Sequence, residues 1–245
     1  MRGQAAHALA QAVHRADGAA ALNLLLEHLA SETQVNVRGV YAHSIGRLRL
    51  EENDRARAIE AILDLSTVNG EDAHPSTLEG VALGLEAMMR NARGASIGER
   101  AQGRLSNLTF YDRVRQQYGR QSVHVRLLAL SAMGQAGSIT VEFIESGMRD
   151  PNARVRTVAA RYLNVVVPAA RSEFIRRGLL DESVGVRIAT VQQLAREPRD
   201  EVVCERLLAV ATRDENQGVR LIALDALGDP CTDPDVQIQA LLGTA

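Results

Sequence analysis

The chain repeats itself, and that constrains its fold more than any other feature: a unit recurring every roughly 20 to 50 residues folds as stacked copies of one supersecondary element, not around one closed core. Five segments share a pattern: Val37-Arg38-Gly39-Val40-Tyr41-Ala42, Val125-Arg126-Leu127-Leu128-Ala129-Leu130, Val155-Arg156-Thr157-Val158-Ala159-Ala160, Val186-Arg187-Ile188-Ala189-Thr190-Val191 and Val219-Arg220-Leu221-Ile222-Ala223-Leu224. Two weaker copies start at Arg2-Gly3 and at Leu78-Glu79-Gly80. With the arginine (or Glu79) as anchor, the copies stand at 2, 38, 79, 126, 156, 187 and 220, which are intervals of 36, 41, 47, 30, 31 and 33 residues. The last four copies are regular, and the earlier part carries insertions.

Within a copy the apolar residues have helical spacing. After Arg220, the residues Ile222, Ala223, Ala226 and Leu227 form one wide stripe with Val219. Between anchors lies a second amphipathic segment: Ala19 to Ala30, Arg55 to Leu65, Ile139 to Met148, Ala169 to Leu180 and Glu201 to Thr212. Each copy is therefore expected to be a helix, a turn and a second helix, with essentially no sheet. Turn chemistry agrees. Asp150-Pro151 and Asp233-Pro234 read as an acidic N-cap followed by proline in the first helical turn; Pro168 and Pro198 mark boundaries, and Gly134, Gly137 and Gly228 mark helix ends.

At these residues the pattern resembles the HEAT-repeat family, in its short form of about thirty residues associated with phycobilisome lyases. The resemblance is carried by an acidic turn, Val-Arg and an Ala/Leu-rich second helix. It is plainest in Arg149-Asp150-Pro151-Asn152-Ala153-Arg154-Val155-Arg156 and Arg213-Asp214-Glu215-Asn216-Gln217-Gly218-Val219-Arg220. It implies an all-α, armadillo-like α-solenoid, a right-handed superhelix of about seven helix-turn-helix repeats in which second helices line the concave side. Residues 1–245 read as one array: 1–94 as longer irregular repeats, 95–120 as an irregular insertion and 121–245 as regular repeats. The family implies no single activity.

An acidic residue precedes the anchor by six positions in four copies: Glu32 to Arg38, Asp150 to Arg156, Asp181 to Arg187 and Asp214 to Arg220. A carboxylate there can cap the second helix and pair with a guanidinium of its own or a neighbouring repeat, giving a structural ladder. The same arginines as a phosphate-binding row are disfavoured because each has a matched carboxylate. In the copy anchored at Arg126, Arg120 takes the acidic position, and the ladder is expected to break there.

Composition narrows the chemistry. All 28 basic residues are arginine, so Schiff-base, P-loop and lysine-base catalysis are excluded within the chain. A net charge of −2, no tryptophan and 3% aromatic residues argue against nucleic acid as the partner. Cys204 and Cys231, 27 residues apart with no CxxC, read as two free thiols in a reducing compartment. With no apolar run of membrane-spanning length and no secretory signal in the Ala-rich start, the expected location is cytoplasmic.

No enzyme constellation survives inspection. Gly94-Ala95-Ser96-Ile97-Gly98 matches a nucleophile elbow but follows a helix from Val81 to Arg93, where that motif needs a strand. The histidines at 7, 14, 28, 43, 74 and 124 include no His-Glu dipeptide of the kind that holds a di-iron centre on HEAT-like repeats, and Glu27-His28 is the reverse order. Adjacent carboxylates such as Glu51-Glu52 and Asp200-Glu201 diverge on a helix. No catalytic residue, cofactor or metal is expected.

What remains is a surface. Five positions after the anchor stand His7, His43, Gly84, Ser131, Arg161, Gln192 and Asp225, a mostly polar column. Positions +1 (Gly3, Gly39, Gly80, Leu127, Thr157, Ile188, Leu221) and +4 (Ala6, Ala42, Leu83, Leu130, Ala160, Val191, Leu224) either line a groove with it or pack against the next repeat. The aromatic and basic stretch with Phe110, Tyr111, Arg113, Arg115, Tyr118 and Arg120 reads as a gap-filling helix in preference to a recognition insertion. The reading is a non-enzymatic scaffold that binds a protein or peptide through His7, His43, Ser131, Arg161, Gln192 and Asp225, with no nucleic acid or membrane partner. An anchor at residue 2 and an unaccompanied last helix, Asp235 to Leu242, point to a piece of a larger protein. The resemblance leaves two alternatives: a partner-dependent chromophore-lyase subunit, or the repeats attached to a bacterial cyclophilin-type peptidyl-prolyl isomerase.

Overall fold

A computed structural model describes residues 1–12, 17–91, 98–111, 119–228 and 231. Two compact bodies divide the chain, Met1–Ile139 and Thr140–Ala245. The first holds α1 (Arg2–Ala12), α2 (Gly18–Ala30), α3 (Val35–Arg47), α4 (Glu52–Asp64), the strands β1 (Thr67–Val68) and β2 (Glu71–Asp72), α5 (Pro75–Asn91), α6 (Glu99–Thr109) and α7 (Arg120–Gln135). The second holds α8 (Val141–Met148), α9 (Ala153–Ala160), a 3₁₀ turn (Leu163–Val165), α10 (Pro168–Leu179), α11 (Val184–Leu194), α12 (Glu201–Arg213) and α13 (Gln217–Ala226). The described chain is essentially all helical. Every anchor lies within the first two turns of an odd-numbered helix, and every second amphipathic segment forms an even-numbered one.

Packing alternates in the same way. In the first body α1 packs on α3, α3 on α5 and α5 on α7, while α2 packs on α4 and α4 on α6; in the second, α9 packs on α11 and α11 on α13, while α8 touches α10. Each even helix also lies against the odd helix that follows it. The segment read as an irregular insertion contains a regular member of this set. Helix α6 buries Ala101, Leu105 and Leu108 at helical spacing and packs against α4 and α7.

Glycines along α3 and α5, two of them at position +1, explain how tightly these odd helices meet. A Cβ built on Gly46 of α3 would stand 2.5 Å from the carbonyl carbon of Gly84 in α5 and closer to that residue's oxygen and Cα. A Cβ on Gly80 would overlap the backbone of Gly39, and one on Gly84 would come within 2.9 Å of the Ala42 carbonyl carbon. Contact runs from Gly39 with Gly80 to Gly46 with Gly84, so the two helices are parallel and touch backbone to backbone. Position +4 is buried at Ala6, Ala42, Leu130, Ala160 and Val191. Gly39 and Gly80 at +1 and most of +4 are thus packing surfaces, whereas Leu127, Thr157 and Ile188 at +1 are half-buried and Leu221 is 55% exposed.

Three local readings are corrected. A two-stranded hairpin stands between α4 and α5, closed by Asn69 (φ 52°) and Gly70 (φ 84°) with Thr67 opposite Asp72; positive φ at both central residues is what an Asn-Gly turn supplies. Arg104 of α6 fastens it, donating to the Ser66 carbonyl and to Asp72, each at 2.8 Å. Pro151 is not in the first turn of α9: the N-cap is Asn152, whose side chain accepts from the Arg154 amide. Gly134 lies inside α7, and the stop is Gly137 (φ 66°), where the Ser138 amide bonds the Met133 carbonyl and the Gly137 amide bonds Gly134.

The cysteines are the fourth correction. Cys204 and Cys231 form a disulfide, with Cα atoms 5.3 Å apart. Helices α12 and α13 pack as a hairpin, which returns the chain to Cys204 despite the 27-residue separation. The free-thiol argument for a reducing compartment therefore falls. Among the described residues no helix is long and apolar enough to cross a membrane.

Candidate functional site

The acidic residues six before the anchor do not cap the helices directly. Each accepts the amide two residues on: Glu32 from Gln34 (2.8 Å), Asp150 from Asn152 (2.9 Å), Asp181 from Ser183 (2.9 Å) and Asp214 from Asn216 (2.8 Å). That closes the turn so that Asn152, Ser183 and Asn216 become the N-caps. The anchor's Nη1 then reaches back to the acidic residue's carbonyl: Arg156 to Asp150 (3.0 Å), Arg187 to Asp181 (2.9 Å), Arg220 to Asp214 (2.8 Å) and Arg38 to Glu32 (3.5 Å).

The remaining guanidinium nitrogens join α9 to the turn before α11 and α11 to the turn before α13. Arg156 forks onto Asp181 through Nε (2.8 Å) and Nη2 (2.9 Å), and Arg187 forks onto Asp214 through Nε (2.8 Å) and Nη2 (3.1 Å). The Asp181 bond raises Arg156 above the ordinary arginine value against the opposing effect of burial, and Asp214 does the same for Arg187. Side chains of Arg187 and Asp214 are only 6% and 8% exposed. A phosphate at this edge would have to displace a forked, buried carboxylate.

Two pairings escaped the sequence pattern. Arg2, the anchor of a weaker copy, pairs with Glu32 in the turn before α3 at 3.3 Å. Glu79, the one acidic anchor, bonds the His124 ring of α7 at 2.8 Å. Arg126 is fully buried, donating to Ser122 Oγ (3.0 Å) and the Tyr111 carbonyl (3.3 Å).

The polar column is partly assembled. In the first body His7 and His43 are neighbours with ring centroids 6.0 Å apart, and Ser131 is half-buried. Gly84 is buried in the glycine seam instead of facing solvent. Burial, reinforced by Arg47, His7 and Arg90, lowers the His43 pKa below the usual histidine value. Arg47 and Arg90, one or two turns further along α3 and α5, thus belong to this face and were not singled out by the +5 alignment. In the second body Arg161, Gln192 and Asp225 are all exposed.

Two concavities accompany these features. One, of about 540 Å³, runs over the Arg187–Asp214 rung between Leu180 and Val210, with exposed Glu182 and Glu215 at its rim. The other, of about 450 Å³, lies between α1 and α2. Among the described residues no three His, Cys, Asp or Glu side chains are grouped to hold a metal ion. His14, Gly94 to Ile97, Arg113, Arg115, Tyr118, Asp233-Pro234 and the segment from Asp235 to Leu242 lie outside the described residues. Phe110 and Tyr111 cap the C-terminal end of α6, Phe110 exposed and Tyr111 half-buried. Compared with family models and with curated proteins, the sequence finds no match.

Proposed function

We propose that the chain is a HEAT-like α-solenoid that binds a protein or peptide partner across the exposed face of its odd-numbered helices and performs no chemistry of its own. The observation that carries this reading is the alternation: odd helices stack on odd and even on even in each body, with an arginine–carboxylate rung joining successive repeats. That arrangement uses Gly39 and Gly80 at +1 and most of +4 for packing and leaves +5 accessible at His7, His43, Arg161, Gln192 and Asp225. The mixed charges of that column, within a chain of net charge −2, favour a polypeptide over a nucleic acid.

The experiment is site-specific photo-crosslinking from positions 161 and 192, with position 205 on the even layer as control. The reading expects a discrete protein adduct from the first two positions, lost on Arg161→Glu or Gln192→Glu. Equal labelling from all three positions, or none from 161 and 192, would overturn it.

A further inference from the structure

We propose that Asn69, at the tip of the β1–β2 hairpin, is a site of spontaneous covalent modification: the Gly70 backbone nitrogen displaces its side-chain amide as ammonia, leaving aspartate or isoaspartate, at a rate set by opening of the hairpin that Arg104 fastens. The site is separate from the polar column and does not depend on the partner reading.

Three observations single out this residue. Asn69-Gly70 is the only Asn-Gly pair in the sequence. The attacking nitrogen is bare: glycine has no side chain to shield it, nothing stands within 4 Å of where a Cβ would be, and neither the Gly70 amide nor the Asn69 side chain makes a hydrogen bond among the described residues. Water reaches the whole tip, since every residue from Thr67 to Asp72 is exposed. Other asparagines are held. Asn152 and Asn216 commit their side-chain oxygens to N-caps, Asn23 accepts from Arg57 at 2.9 Å, and the amide after Asn164 is bonded to the Tyr162 carbonyl at 3.1 Å.

The chemistry needs only water and hydroxide. The Gly70 N–H gives its proton to hydroxide as the nitrogen bonds to Asn69 Cγ; the Cγ–Nδ2 bond breaks, ammonia leaves, and a cyclic imide closes. Water then opens the ring at either carbonyl. Breaking the bond to Cγ restores the ordinary backbone with aspartate at 69. Breaking the bond to the Asn69 carbonyl carbon routes the chain through the side chain, giving isoaspartate with an extra carbon in the backbone. Nothing is oxidised or reduced.

Conformation gates the reaction. Asn69 (φ 52°) occupies the left-handed region, where ψ lies near ~+47°; the imide ring cannot close at that ψ, so the turn must open first. Strands of two residues open at little cost, but Arg104 donates to both the Ser66 carbonyl and Asp72 at 2.8 Å, and the Ala73 amide bonds the Ser66 carbonyl at 3.0 Å. These bonds hold the base of the hairpin closed. The two products differ in consequence. Asp-Gly also suits the turn and adds a carboxylate beside Glu71 and Asp72, whereas the longer isoaspartate backbone cannot keep Thr67 opposite Asp72 and releases the strands. Both changes are one-way, so modified chains accumulate with age.

The test is incubation of the full chain at pH 8 and 37 °C, followed by peptide mass spectrometry with chromatographic separation of aspartate from isoaspartate. Asn69 should convert at least tenfold faster than Asn152 or Asn216, more slowly at pH 6, several-fold faster in Arg104→Gln and faster still in urea. Asn69→Gly should keep the hairpin and abolish the reaction, and hydrogen exchange of the isoaspartate form should show lost protection confined to the hairpin. Circular dichroism checks that Arg104→Gln keeps its helices; if it does not, the folded-against-urea comparison of the parent chain still reads the gate. Conversion of Asn69 no faster than of Asn152 and Asn216 would overturn the site, and equal rates in folded and urea-unfolded chains would overturn the gating by the hairpin.

Discussion

Replacing glycines by alanine should change stability with opposite signs in α3 or α5 and in α6. In a helix interior that exchange is favourable by about 1 kcal/mol where nothing opposes it, because alanine loses less backbone entropy. Gly103 is such a site: it lies inside α6, and a Cβ there meets nothing within 4 Å. At Gly46 the added Cβ stands 2.5 Å from the Gly84 carbonyl carbon, whereas carbon atoms in contact prefer about 3.5–4.0 Å. The obstacle is backbone and cannot rotate away, so α3 and α5 must separate by about 1 Å along their shared seam. Overpacking of this kind costs about 1–3 kcal/mol or more, which exceeds the propensity gain. Gly80→Ala, which meets the Gly39 backbone, should behave as Gly46→Ala does. At roughly 2–4 °C per kcal/mol for a chain of this size, Gly103→Ala should raise Tm by a few degrees and the seam variants should lower it. Thermal and urea unfolding of the three variants is the assay. Seam variants as stable as the parent would refute backbone contact between α3 and α5.

Three further outcomes are expected. Arg187→Met should cost about 3–5 kcal/mol in urea unfolding by leaving Asp214 buried without its guanidinium, while Arg187→Met with Asp214→Leu should recover most of that loss. Reducing the Cys204–Cys231 bond, or replacing both cysteines by alanine, should destabilise the second body; closing a loop of 27 residues is worth about 3–4 kcal/mol in the chain-entropy account, read as a Tm difference with and without reductant. His43 has a folded pKa below its unfolded value, so the unfolded chain takes up the proton first. The His43 contribution should be full above about pH 6.5 and should fall as pH drops below it, and His43→Gln should flatten that limb of the stability profile.

Much of the helical order was legible because each helix buries one continuous stripe. The even helices α2, α8, α10 and α12 begin or end within about two residues of where periodicity places them, and α4 begins three residues early because Glu52 and Asp54 suit a first turn. What the periodicity could not reveal is which neighbour a face meets. Gly39 and Gly80 read as small residues beside a groove and Gly84 as part of the polar column, and Gly46 drew no notice, yet their role follows from a parallel helix touching backbone that no local pattern announces. Linear separation likewise concealed the disulfide, since the return of the chain to Cys204 depends on how α12 and α13 fold back. Asn69-Gly70 carried a visible turn signal, but flanks of two residues are too short to show alternation. In the ladder the spacing of six marked the correct residues but not their division of labour, because Asp150-Pro151-Asn152 offers two capping side chains two residues apart, of which Asp150 closes the turn and Asn152 takes the cap. The α1–α2 cleft was invisible for the same reason as the seam.

Native-state hydrogen exchange on Asp214→Ala tests most directly whether this is a chain of repeats that each depend on their neighbours. If stability is the sum of repeat and nearest-neighbour interface terms, loss of the rung to Arg187 should lower amide protection in α11, α12 and α13, less in α8 and α9, and not in α3 or α5. An equal loss of protection in every helix would contradict the repeat architecture and, with it, the scaffold reading.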